Sequence, residues 1–310
     1  MARLPRVKDL LNGSWYHIHA SVGGPAGYFP LSDPVAQHKL KSLIQFYAEA
    51  YFCGVAAFQF MGNHYHLVMR FDPWRDLCTE ELWARALRLY PKSGNMFNTW
   101  PDKKWKRLQR RLFDVSEFMR NVQAAFARWY NADHERKGHL WGARFKSNML
   151  CGPEAVLEAI LYVELNAVRA GLTSQPEEYS GGSLYHREIG KDKWLLPLTE
   201  FLPEAGAQEL EHFKELIYHR GAVVTKPNQK PLAPEVLERE RARGFAPNGV
   251  YRKRLRYFTD SVVLGGELLV RERLAALRKL GHYLRRKNPL AAEHGGLFRL
   301  REQRGELVFR

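Results

Sequence analysis

The chain has 310 residues, 45% hydrophobic and 26% charged, with a formal net charge of +15 at pH 7. That balance fits a folded core and excludes a disordered or collagen-like chain, and no apolar run approaches the ~18 residues that span a bilayer. The charge favours a polyanionic partner, nucleic acid before an anionic membrane surface, because bound cations release counterions.

"SWYHIHASV" at 14–22 alternates between flanking glycines and reads as a strand. Asp33 as N-cap and Pro34 at the first helical position open a helix over 33–52, with Leu40, Leu43, Ile44 and Tyr47 as its apolar stripe. "GVAAFQFM" and "HYHLVMR" read as two strands joined at Gly62-Asn63. Residues 72–113, rich in Trp and cations and broken by Pro73, Pro91 and Pro101, read as an insertion. Asp114 and Glu117 resemble a capping box for a helix that buries Phe118, Val122, Phe126 and Trp129.

Residues 142–151 alternate again, and a strand there would set Arg144 and Lys146 on one face. Gly152-Pro153 then opens a helix that runs to Ala170 and stops at Gly171. The hairpin within this order excludes a doubly wound parallel sheet and points to an α+β fold: an antiparallel sheet flanked by helices. Beyond about residue 190, prolines punctuate helical pieces and the end is strongly basic. The expected division is a domain over 1–190, with its insertion at about 72–113, and a mostly helical one over 191–310. Cys53, Cys78 and Cys151 are scattered, and the first residues lack the apolar segment of a secretory signal. Both features fit a reducing cytoplasm.

In a strand, residues i and i+2 share a face, so His64 and His66 project side by side while Tyr65 and Leu67 point into the core. Two such imidazoles can hold one divalent metal and leave coordination positions for substrate oxygens. Taken alone, such a pair is more often a pair of ordinary hydrogen-bonded histidines. His17 and His19 repeat the spacing and are expected to be structural. On the helix 153–170, Glu158, Tyr162, Asn166 and Arg169 share one polar stripe, with Leu157, Ile160, Leu161 and Val168 expected against the sheet. Glu158 is a candidate base for Tyr162, with a solvated carboxylate as the alternative. Glu164 falls on the apolar side without an assigned role.

Cations interleave with aromatic or apolar residues in three stretches, 103–111, 251–258 and 278–287, a mixture suited to backbone contact and base stacking. Lys103, Lys104, Lys106, Arg107, Arg110 and Arg111 carry the first, and Arg252, Lys253 and Arg254 the second.

"FMGNHYHLVMR", "FKS" and "YVELNAVRAGL", in this order, resemble the single-tyrosine HUH transposases, most of all the REP-associated tyrosine transposase branch. The likeness spans roughly 14–190, with "RYFTDSVVLGGELLV" (256–270) similar to a C-terminal segment of some members. Two positions depart from the family pattern: Gly62 stands where many members have Pro, and Ala167 replaces the Pro of "NPVRAG". The resemblance implies a ferredoxin-like or RRM-like core and a single-strand DNA endonuclease and strand transferase. It implies Tyr162 as nucleophile, His64, His66 and Asn166 around Mg²⁺ or Mn²⁺, and a 5′-phosphotyrosine intermediate. The implied partner is single-stranded or hairpin DNA of palindromic repeats, bound by a monomer or homodimer in the cytoplasm and away from membranes. Arg144 and Lys146 would touch its backbone, and residues 191–310 would serve as an accessory DNA-binding unit. A DNA-binding or regulatory protein that keeps the scaffold without turnover is the alternative. A replication-initiator or relaxase relative is a third reading, disfavoured by "YVELNAVRAGL".

Overall fold

The computed structural model describes residues 7–202, 208–222, 230–242, 261–279, 288–291 and 297–301. Seven strands form one sheet: β1 (Ser14–Ser21), β2 (Cys53–Phe60), β3 (His64–Phe71), β4 (Lys146–Cys151), β5 (Ser261–Gly266), β6 (Leu290–Ala291) and β7 (Leu297–Arg301). Their order is β2-β3-β1-β4-β5-β7-β6. Every neighbouring pair is antiparallel except β4 and β5, which run parallel. The fold is α+β, as the strand and helix order implies.

Alternation along the strands divides the core in two. On one face Tyr16, Ile18, Phe58, Phe60, Tyr65 and Leu67 pack beneath α1 (Pro34–Ala50) and α4 (Val115–Asp133). Asp33 caps α1 by accepting from the backbone N–H groups of Val35 and Ala36, at 3.0 and 3.2 Å. Phe118, Val122 and Phe126 of α4 are fully buried, each contributing roughly 2 kcal/mol through removal of apolar surface from water. The capping box is only half made: Asp114 accepts from Ser116 N at 2.7 Å, whereas Glu117 is drawn to Arg111 and Arg120.

Residues 79–112 fold onto this same face as α2 (Thr79–Leu89) and α3 (Asp102–Leu112). Trp83 stacks on Trp105 at 5.8 Å, and Phe97 packs against Trp100 at 4.8 Å. Leu108 and Leu112 anchor α3, so Lys103, Lys104, Lys106, Arg107 and Arg110 face outward.

On the opposite face, Ala57, Val68 and Leu150 pack beneath α5 (Pro153–Glu164) and α8 (Glu209–Gly221). The expected single helix to Ala170 is interrupted at Leu165, and α6 (Asn166–Ala170) follows. Gly171, at φ +72°, ends it in the left-handed conformation that glycine adopts without steric cost. α7 (Ser183–Glu188) lies against the β2 edge, and α9 (Pro234–Ala242) packs through Val236 onto Val168 and Tyr218.

The sheet continues past residue 190. β5 extends it beside β4, and α10 (Glu267–Lys279) buries Val270, Leu274 and Leu277 on the α1 side. The segment 256–270 therefore contains a sheet strand and the start of a helix, with 256–260 outside the described residues. No helix among the described residues is long and apolar enough to cross a membrane.

Candidate active site

The sheet register assembles the site. β1 runs antiparallel to β3 with His19 opposite His66 and Ser21 opposite His64. Directly opposed residues share a face, so His17, His19, His64 and His66 all point toward α5. The row continues sideways through Gln59 on β2 and Lys146 on β4. Gln59 is fully buried, and neither its amide nitrogen nor its oxygen has a hydrogen-bond partner.

His19, His64 and His66 each offer a ring nitrogen within 4.8 Å of the others, the span of ligands around one ion. Burial first, then His64 and Lys146, push His19 down to about 4. Burial pushes His64 down as well. Both rings are therefore neutral at pH 7 and present lone pairs, the form in which imidazole binds a metal. Three imidazoles fit a divalent cation such as Mn²⁺, for which nitrogen is an acceptable ligand.

His17 adds a second layer. Its Nε2 lies 2.9 Å from Nδ1 of His66, the two ring planes are within 8° of parallel, and His17 is 1% exposed. For Nε2 of His66 to remain a ligand, the shared proton must sit on Nδ1 of His66, with His17 accepting it. β1 thus supplies one imidazole to the cluster and one that orients a neighbour.

Tyr162 stands beside this group. Its ring meets His66 and His17 edge-on, each at 5.7 Å between centroids, and is 5% exposed. Tyr162 therefore faces the sheet, contrary to the helical-wheel expectation. Leu157, expected against the sheet, is only half-buried. The wheel assigned faces by polarity, but the sheet surface beneath α5 is itself polar where the histidines lie. Arg169, also buried, sets its guanidinium 5.9 Å from the Tyr162 ring centroid.

Asn166 directs its amide nitrogen to helix backbone, donating to Tyr162 O at 3.0 Å and Val163 O at 3.5 Å. The imidazole that joins His64 and His66 is His19, which the sequence reading kept structural. Its signal was the repeated HxH spacing, decisive only once the register is known. Glu158 is not a solvated carboxylate: it accepts a bond from Arg220 of α8 at 2.9 Å. Glu164 accepts from Ser183 Oγ at 2.5 Å and from Leu184 N at 3.3 Å, which explains a carboxylate on the apolar side of α5.

Among the basic residues, Lys146 is exposed at the edge of the histidine row. Arg144 precedes β4 rather than sharing a strand face with Lys146, because the strand begins at Lys146. The exposed α3 cations lie on the other face of the sheet. Lys104 sits over the Trp100 ring at 3.6 Å, and Arg111 pairs with Glu117. Arg252, Lys253 and Arg254 lie outside the described residues.

No protein-family profile matches the sequence. No curated protein matches it either. A solved structure of a REP-associated tyrosine transposase bound to a REP hairpin is similar to 64% of this chain and 89% of its own, with 14% identity and a TM-score of 0.41.

Proposed function

We propose that this chain is a metal-dependent single-strand DNA endonuclease and strand transferase that uses Tyr162 as nucleophile. The observation that carries this reading is the packing of the Tyr162 ring on His66, one of three imidazoles able to share an ion. A phenol held against a cation site on a basic protein suits attack on a phosphodiester better than a purely structural role.

His19, His64 and His66 would hold Mg²⁺ or Mn²⁺, which supplies charge neutralisation at the scissile phosphate and a lowered barrier to phenol ionisation. The Tyr162 oxygen attacks phosphorus, and the bond to the 3′-oxygen breaks. That oxygen leaves as a 3′-hydroxyl with the proton that the phenol gave up, and the chain keeps a 5′-phosphotyrosine. One phosphodiester is exchanged for another, so a second 3′-hydroxyl can reverse the step without ATP. Lys146 and Arg144 fit backbone phosphates at the open side of the histidine row. The α3 cations and the basic stretch beyond residue 190 fit contact with more distant DNA. The substrate class is single-stranded or hairpin DNA of palindromic repeats, following the sequence resemblance.

The test is a labelled hairpin oligonucleotide with single-stranded flanks, incubated with the protein and Mn²⁺. A covalent adduct that requires the metal and disappears in Tyr162→Phe is expected. Tight binding without any adduct would overturn the enzymatic reading and leave a DNA-binding protein on this scaffold.

A further inference from the structure

A groove of about 580 Å³ opens between α1 and the loop that follows α7. Lys41, Gln45, Lys191, Lys193 and Trp194 line it, together with Glu49. Trp194 belongs to the apolar cluster beneath α1 and stacks on Phe58 at 5.6 Å. The groove is therefore on the sheet face opposite the histidines.

The backbone fixes this loop. Gly190 takes φ +64°, its N–H donates to Arg187 O, and the N–H of Lys191 donates to His186 O at 2.8 Å. These two bonds make a Schellman cap on α7, which requires the left-handed residue that glycine supplies. Leu196 N then bonds Val55 O at 2.7 Å and ties the loop to β2. Lys191 and Lys193 project from a braced turn.

Carboxylates near the groove are already taken. Asp192 pairs with Arg187, Glu49 with Arg88, and Glu188 with Lys214. Among the described residues, no ion pair is formed by Lys41, Lys191 or Lys193. Burial and the charge of Lys191 push the Lys41 ammonium down. His186, 7% exposed with its Nδ1 unpartnered, is pushed down to about 4, by burial first and then by Lys41, Lys191 and His38. Cations that converge without a counter-charge make a field that an anion relieves.

We propose that this groove is a second DNA-contact site, in which Lys41, Lys191 and Lys193 take backbone phosphates of an unpaired strand and Trp194 offers a base its ring. Cations along a groove with an aromatic wall are the combination that binds single strands without sequence preference. A compact phosphate ion would use the lysines alone and leave the ring idle. The inference rests on the DNA-processing reading and adds a site remote from the chemistry.

The test measures binding of a hairpin with a single-stranded extension to the full chain across a salt series. Each phosphate contact on a single strand contributes about 0.7 to the log–log salt slope. Lys41→Ala/Lys191→Ala/Lys193→Ala should flatten the slope by about 2 and weaken binding roughly tenfold or more near 0.1 M salt. Replacement of the same three by Arg should retain the slope. Lys191→Ala/Lys193→Ala, at two exposed positions, provides a variant with no folding burden and an expected loss of about 1.4. Lys92→Ala/Arg128→Ala, two exposed cations elsewhere, should leave the slope unchanged, since screening confines each charge to about 10 Å at 0.1 M. An unchanged slope in the groove variants, or an equal loss in that outside pair, would overturn the site while leaving the proposed function standing. Absence of DNA binding by the unaltered chain would overturn both.

Discussion

His17 Nε2 and His66 Nδ1 lie 2.9 Å apart in the interior of the sheet, with the two ring planes nearly parallel. The bond ties the tautomer of one imidazole to the position of another. Loss of an outer-shell partner of this kind typically costs about 10–100-fold in metal affinity. His17→Ala should therefore weaken Mn²⁺ binding by that factor, read by calorimetric or spin-resonance titration. His17→Gln, whose amide oxygen can accept from the His66 Nδ1–H, should recover part of the loss. Equal Mn²⁺ affinity in all three proteins would remove His17 from the site.

The third ligand is tested by a pair of variants. His19→Ala deletes an imidazole from the cluster and should lower Mn²⁺ affinity by at least about 100-fold, beyond the usual outer-shell effect. Asn166→Ala removes hydrogen bonds to the helix backbone, worth about 1 kcal/mol. It should lower thermal stability and leave Mn²⁺ affinity within about threefold. The reverse ranking would make Asn166, rather than His19, the third ligand.

These expectations show what local pattern could and could not convey. Periodicity identified β1, the hairpin of β2 and β3, α1 and α4, because each buries one regular face. HxH spacing identified His64 and His66 because their common face follows from strand geometry alone. His19 joins them only through cross-strand register, which no short window contains. Tyr162 was found by motif but placed on the wrong side of its helix, since polarity marks the solvent face only where the underlying sheet is apolar. Pairing of Glu158 with Arg220 spans 62 positions and two helices, so the sequence carried no local sign of it. β5 is six residues long and pairs with a strand more than a hundred residues earlier. In a basic, proline-punctuated stretch its pattern was too short to separate from helix.

The Glu158–Arg220 pair gives a stability prediction. Arg220 is 1% exposed, and burial raises the Glu158 carboxyl while Arg220 and Arg169 pull it down. Removing one member of such a pair leaves an uncompensated buried charge, at a cost of about 3–5 kcal/mol. Arg220→Met should show that loss in denaturant unfolding. Glu158→Gln/Arg220→Met should lose less than the two single changes added together. Under conditions where the variant remains folded, Glu158→Gln should cleave DNA at the unaltered rate. A lost acidic limb in its pH–rate profile would instead make Glu158 the base.

Glu164 predicts how stability depends on pH. Its carboxylate is 1% exposed, and burial pushes its pKa up to about 7, against an ordinary value near 4.5. Ser183 Oγ accepts from Phe58 N and has both Phe58 O and Glu164 Oε1 within hydrogen-bond reach, but it carries one proton. A protonated Glu164 can donate to Ser183, which frees the hydroxyl proton for Phe58. Ionised Glu164 competes for that proton. Between about pH 4.5 and 7 the folded chain thus holds a proton that the unfolded chain releases, so stability falls as pH rises through this window and levels off above it. At about 1.4 kcal/mol per pKa unit the total is roughly 3 kcal/mol. Glu164→Gln keeps a neutral donor at the same place, and its unfolding free energy should vary less over this range, with the advantage over the unaltered chain greatest near pH 8. Glu164→Leu removes the donor and should be the less stable variant at pH 5. Parallel stability curves for Glu164→Gln and the unaltered protein would mean that the carboxyl titrates alike in the folded and unfolded chains.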